Sequence, residues 1–157
     1  MTNRKYRHHF GTLGVIFALC ILPWSSPSPA WANGLMEAAS LELRLIMQEL
    51  GRNMQRITDA ISREDWAQVA ELAPKVATHP EPPLAEKTRI LAYLGDKAIT
   101  FRSFDEGVHE AALVMEEAAQ RGNGMAVIQS FARVQEGCLG CHQSFRKPFI
   151  EHFYNPR

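Results

Sequence analysis

Cys138-Leu139-Gly140-Cys141-His142, near the end of this 157-residue chain, constrains the fold more than any other stretch because it lies on an apolar seam of helical period. Val127, Phe131, Val134, Cys138, Cys141 and Phe145 recur three and four apart, which is the spacing of one helix face. Asn123 can cap this segment, and Pro148 predicts its end. Both thiols should therefore point inward from the last helix of whatever the chain builds.

Three further stripes precede it. Met36, Ala39, Leu43, Ile46, Met47, Leu50, Met54, Ile57 and Ile61 predict an amphipathic helix of about 27 residues starting near Leu35. Ser62 with Asp65 reads as a capping-box-like start for a second helix carrying Trp66, Val69, Ala70, Ala73, Val76 and Ala77, and Pro74 inside it predicts a kink or two short pieces. His79-Pro80-Glu81-Pro82-Pro83 cannot be regular structure. Residues 84–100 read as a long, partly helical crossover, ended or bent at Gly95. Ser103-Phe104-Asp105-Glu106 reads as a capping box opening a third helix with Phe104, Val108, Ala111, Ala112, Met115 and Ala118, which Gly122 stops. No alternating strand pattern of useful length and no internal repeat occurs. The expected fold is all-α, an antiparallel four-helix bundle.

The N-terminus reads as a secretory signal peptide over residues 1–32. Arg4, Lys5 and Arg7 precede a 13-residue apolar run at 10–22, and Ala30-Trp31-Ala32 supplies the small residues of a cleavage site, with cutting expected after Ala32. The run is shorter than the ~20 residues of a spanning helix, so no stable membrane insertion is expected. Cys20 goes with the discarded peptide, since Leu19 before it is too bulky for a lipobox. The remaining residues 33–157 suffice for one domain with one core. Cleavage removes 3 of 17 basic residues and none of the 17 acids, leaving 14 − 17 = −3, which argues against nucleic acid and against an anionic membrane surface. Only Cys138 and Cys141 remain, too close together to staple distant parts of a fold.

Three chemistries compete for those cysteines. A redox dithiol would set its first cysteine at a helix N-terminus in a βαβ setting, but this motif lies late in a helix. A structural zinc site needs a full tetrahedral ligand set, while His79, His109 and His152 are scattered singly. Covalent attachment of haem accounts for every part. Residues at i and i+3 share a helix face, so each thiol can add across one vinyl group of the porphyrin. His142, at i+4 from Cys138, then comes under the iron as axial ligand. Export agrees, because c-type haem is attached outside the cytoplasm. The plain alternative is a pair of buried cysteines beside a capping histidine.

With its haem motif in the last of four helices, the chain resembles class II cytochromes c, the cytochrome c′ family and its low-spin relatives. The resemblance covers nearly all of residues 33–157. CLGCHQSFR at 138–146 matches the family's CxxCHxxFR ending, and IMQELGRNM at 46–54 looks like the first helix of the Met-ligated members. It implies an up-down-up-down bundle in the periplasm, non-enzymatic, with one covalently attached haem c between helices near one end. High-spin members leave the sixth iron position open behind a bulky side chain and bind small gases such as NO or CO. Low-spin members fill it with methionine and exchange electrons with redox partner proteins. Family members often dimerise through their first two helices, so a homodimer is also implied.

If the first helix runs antiparallel to the last, its N-terminal half lies beside His142. Met36 is too near the frayed end, and Met54 is seven residues beyond Met47, about 10 Å along a helix. Met47 is the expected distal ligand, with its alternative role being a packed blocker of a five-coordinate site. Cytochromes c′ commonly carry an arginine one turn before the distal residue. Here that position is Leu43, and Arg44 is rotated by about 100°. A structural or redox-sensing role, with haem as a folding staple, is a weaker third reading.

Phe145 is expected against the haem or in ordinary core, and Arg146 near the haem's proximal side or a propionate, or else solvated at the helix end. His79 and His109 are expected at the surface. The apolar tail around His152 can pack back over the haem end or serve a partner.

Overall fold

The computed structural model describes residues 41–154; the expected signal peptide and the start of the first stripe, Met36 and Ala39 included, lie outside them. Four helices form the bundle: α1 (Leu43–Ser62), α2 (Trp66–Ala77), α4 (Ala98–Gln120) and α5 (Gly124–Cys141). A shorter helix, α3 (Leu84–Leu94), sits in the crossover between α2 and α4. Among the described residues there is no strand. No described helix is long and apolar enough to cross a membrane.

The four stripes become the core. Ile57, Val69, Leu72, Val76, Met115, Val127 and Val134, drawn from all four bundle helices, are fully buried together. α4 packs on both α2 and α5, while α1 packs mainly on α2 and only lightly on α5. α2 is short and stops beside the middle of α4, where the Ala77 carbonyl accepts from His109 Nδ1 at 2.8 Å. The first turns of α4 therefore extend past α2. They meet a second apolar cluster of Leu41, Ile90, Leu94, Phe145, Phe149 and Phe153, with Phe101 and Phe104 packed against it.

Local chemistry departs from expectation at the helix ends. α1 begins at Leu43 rather than near Leu35. Leu41 is drawn into the second cluster with 2 % of its surface exposed, and the Glu86 carboxylate takes the first free N–H groups of the helix. Ser62 does not open α2. It is the last residue of α1, with Oγ donating to the Thr58 carbonyl, and Asp65 caps α2 by accepting from the Gln68 N–H at 3.0 Å. α2 runs on through Pro74 as one helix.

Gly95, with φ of +52°, ends α3, and a 3₁₀ turn at Gly95–Lys97 leads directly into α4. The capping box expected at Ser103 is therefore overturned. Ser103 lies inside α4 and its hydroxyl donates to the Thr100 carbonyl, because the crossover has already turned the chain. The other end of α4 is as expected: Gly122 adopts φ of +65°, a conformation that suits glycine, and Asn123 caps α5 through the Ala126 N–H.

Pro148 does not stop the last helix. After α5 the chain continues as a π turn at His142–Arg146, one α turn at Lys147–Phe149 and a second π turn at Ile150–Tyr154. The wider i→i+5 turn opens the helix ahead of a residue that has no N–H and whose ring would meet the carbonyl four residues back. The extension keeps Phe145, Phe149 and Phe153 buried, with 7 %, 6 % and 5 % exposure. The tail thus packs back on the bundle end rather than standing free.

Two glycines set how closely α4 and α5 approach. A Cβ at Gly140 would lie 2.5 Å from the Phe104 ring, and one at Gly137 would lie 2.7 Å from Val108 Cγ2. Alanine normally favours a helix interior by about 1 kcal/mol over glycine. Val108 is β-branched and stiff, so relieving the overlap should cost about 1–3 kcal/mol. Gly137→Ala should therefore lower the urea midpoint; a raised midpoint would mean that the α4–α5 contact has slack.

Candidate haem site

Helical phase puts Gly140 of the motif and Gly137 just before it against α4 and turns the cysteines elsewhere. Cys138 packs against the main core and Cys141 against the aromatic cluster; both are half-buried and neither is in a disulfide. Burial pushes the Cys138 thiol up. Burial, then the neighbouring Cys138 and the Asp105 charge, push Cys141 up to about 11. A raised thiol pKa disfavours the thiolate on which a redox dithiol relies. Among the described residues no three histidine, cysteine or carboxylate side chains gather in a way that could hold a metal ion. The zinc reading has no support in the side chains present.

His142 opens the first π turn and is exposed, with Arg146 close by. Partial burial, and then the Arg146 charge, hold its imidazole below the usual histidine range. This favours the neutral ring that can offer a lone pair. Phe145, one turn beyond Cys141, is set edge-on to Phe101 at 5.4 Å between centroids and to Phe104 at 6.4 Å. It is firmly part of the cluster.

Across from α5, the two halves of α1 differ. Met54, Ile57 and Ala60 are buried, whereas Leu43, Ile46 and Leu50 are only partly covered and Met47 is 38 % exposed. Met47 and Leu43 are four residues apart and share a face. The residues present fit a covalently held haem: two thiols at helical spacing, an adjacent imidazole, and an apolar stripe on the lightly packed neighbour that the described residues cover only in part. Arg44 is engaged elsewhere, its guanidinium 5.8 Å from the Tyr154 ring centre.

The other histidines among the described residues play other parts. His109 donates to the Ala77 carbonyl. His79 is half-buried and ties the proline loop to α4, its Nε2 donating to Asp105 at 3.1 Å and its Nδ1 to the Pro80 carbonyl. His152 stacks on Tyr93 at 4.1 Å. Sequence reading did not single out Glu86, Tyr93 or the two glycines. Glu86 carried a weak signal, as an acid in the first turn of a segment whose apolar spacing is poor.

The His79–Asp105 pair gives a pH dependence. The hydrogen bond to Asp105 raises the His79 pKa despite burial, and the same bond lowers that of Asp105. Glu81 also favours charged His79, and His109 and Lys87 favour charged Asp105. The histidine contribution is complete below its unfolded value of about 6.5 and is lost as pH rises through the folded value. The aspartate contribution is present above about 3.9 and is lost as pH falls through its lower folded value. Asp105 is exposed, so the pair is worth about 0.2–1 kcal/mol. Urea melts of wild type and Asp105→Ala should differ most between about pH 4 and 6.5; a gap of equal size at alkaline pH would contradict the pairing.

A family model described as Cytochrome C′ matches residues 42–146. No curated protein and no solved structure matches the chain. The match runs from the first turn of α1 to the end of the first π turn and takes in every residue of the site just described.

Proposed function

The chain belongs to the cytochrome c′ family, whose members carry one covalently attached haem c, and from that premise we propose that it is an exported electron carrier rather than a gas-binding protein or an enzyme. Cys138 and Cys141 hold the group through thioethers, His142 supplies the proximal nitrogen and Met47 the distal sulfur. Haem c supplies a one-electron iron couple. A neutral thioether favours the ferrous state and raises the potential. Phe145 and the apolar stripe of α1 exclude water from the site, and Arg146 lies on the proximal side near His142. The N-terminal segment acts as a signal peptide cleaved after Ala32, which delivers residues 33–157 to the periplasm, where redox proteins are the partners.

The observation that carries this reading is the contrast along α1: Met54 is buried in the core at 8 % exposure, while Met47, seven residues nearer the helix start, is 38 % exposed, on the half that antiparallel packing against α5 would set beside His142. Met54 and Met115 fill the core, where a flexible thioether packs well, which leaves Met47 as the described methionine of α1 that neither buried cluster uses. Outer-sphere electron transfer needs a tuned, well-held iron and no substrate residues. The test is a set of optical and EPR spectra of the ferric and ferrous protein with and without carbon monoxide. Low-spin iron indifferent to the gas is expected. High-spin iron with ready carbonyl formation would assign the protein to the gas-binding branch.

A further inference from the structure

We infer that Glu86 is a positioning residue for the distal side of the site: from the crossover it fixes where α1 begins and so where Met47 stands, a role that rests on the reading of Met47 as distal ligand. Glu86 is only 8 % exposed. One carboxylate oxygen accepts the Glu42 N–H at 2.6 Å and the other the Leu43 N–H at 2.8 Å. The first N–H groups of a helix have no partner within it and carry partial positive charge. A local Ser, Thr or Asp usually answers them. In α1 the N-cap residue makes no such bond and the first turn holds no acid. The cap comes instead from another helix, 44 residues further along the chain.

A cap supplied at long range does more than stabilise a helix end, because it ties the axial position of α1 to that of α3. α3 is in turn bound to the extension of α5. Tyr93 donates its hydroxyl to the Pro148 carbonyl at 3.3 Å, and its ring meets Phe149 at 5.7 Å and Phe153 at 5.2 Å. Leu41 enters the same cluster, and Tyr154 donates to the Leu41 carbonyl at 3.3 Å. Direct contact between α1 and α5 is slight. The main core relates α1 to α5 through α2 and α4, and at the Met47 end Glu86 and the aromatic cluster add a second tie between the helix bearing Met47 and the helix bearing Cys138, Cys141 and His142. Met47 follows Leu43 by one turn on the same face, so its sulfur inherits whatever freedom the first turn has.

The test compares holoprotein of wild type, Glu86→Gln and Glu86→Ala. Wild type should be low-spin and slow to take up carbon monoxide. Glu86→Ala removes both acceptors, and a loosened first turn that presents Met47 only part of the time should raise carbon monoxide uptake roughly tenfold, with a visible high-spin fraction well below the melting transition. Amide exchange at Leu43 should accelerate by a similar factor. Glu86→Gln keeps the side-chain shape and one carbonyl acceptor and should fall between the two; it carries the test if the alanine variant does not fold. A low-spin wild type whose folded Glu86 variants melt earlier but keep its spectrum and gas response would make Glu86 merely structural and overturn the inference alone. A wild type that is already high-spin would remove Met47 ligation, and the positioning role with it.

Discussion

Met47→Ala should convert a low-spin, gas-indifferent protein into a high-spin one that takes up carbon monoxide in its ferrous form, with a lower reduction potential. Each ~1.4 kcal/mol of lost competition from the methionine sulfur corresponds to about tenfold in gas affinity. Even a bond worth about 3 kcal/mol thus predicts a change of roughly 100-fold. The fold should be little affected, because Met47 is 38 % exposed and belongs to neither buried cluster. A large spectral change with a nearly unchanged far-UV circular dichroism spectrum is the expected signature. A variant that stays low-spin would reject Met47 as ligand.

Phe145→Ala should have the opposite balance, a large loss of stability. Phe145 is 7 % exposed and sits edge-on to both Phe101 and Phe104 at the end of the bundle. Truncating a buried phenylalanine costs about 3–5 kcal/mol, and the aromatic pairs add about 0.5–1.5 kcal/mol each beyond area. Urea unfolding should report a loss in that range. A loss below about 1 kcal/mol would indicate a cluster loose enough to collapse around the deletion. The two variants would separate the roles proposed for the two sides: a ligand offered from the partly open stripe of α1, and an apolar wall built by the α5 extension.

What was legible in the sequence follows from which forces act locally. The apolar residues of α1, α2, α4 and α5 repeat three and four apart, and burial of that face is the main driving force, so the bundle could be read directly. Gly122 and Asn123 act within one turn and were read correctly too. The misreadings lie where a distant partner outweighs a local signal. The spacing predicts a first helix from near Leu35, but it starts at Leu43, because the aromatic cluster takes Leu41 and Glu86 caps the helix there. Ser103 looks like a cap but sits inside α4, since Gly95 and the 3₁₀ turn had already redirected the chain. Pro148 breaks an ordinary helix, yet the wider turn at His142–Arg146 carries the chain past it. The motif's spacing, the helical seam it continues and the lack of other cysteines in residues 33–157 are all local to the sequence, so the expectation of a haem site could be formed there. Glu86 could not be found that way, because its meaning depends on backbone groups 44 residues earlier.

The central claim is a haem held by Cys138 and Cys141, and intact-protein mass spectrometry with peptide mapping tests it most directly. The exported protein should have the mass of residues 33–157 plus one haem, with the added mass confined to the peptide containing Cys138-Leu139-Gly140-Cys141-His142. A mass equal to the bare polypeptide, with both thiols free to alkylating reagent, would contradict it.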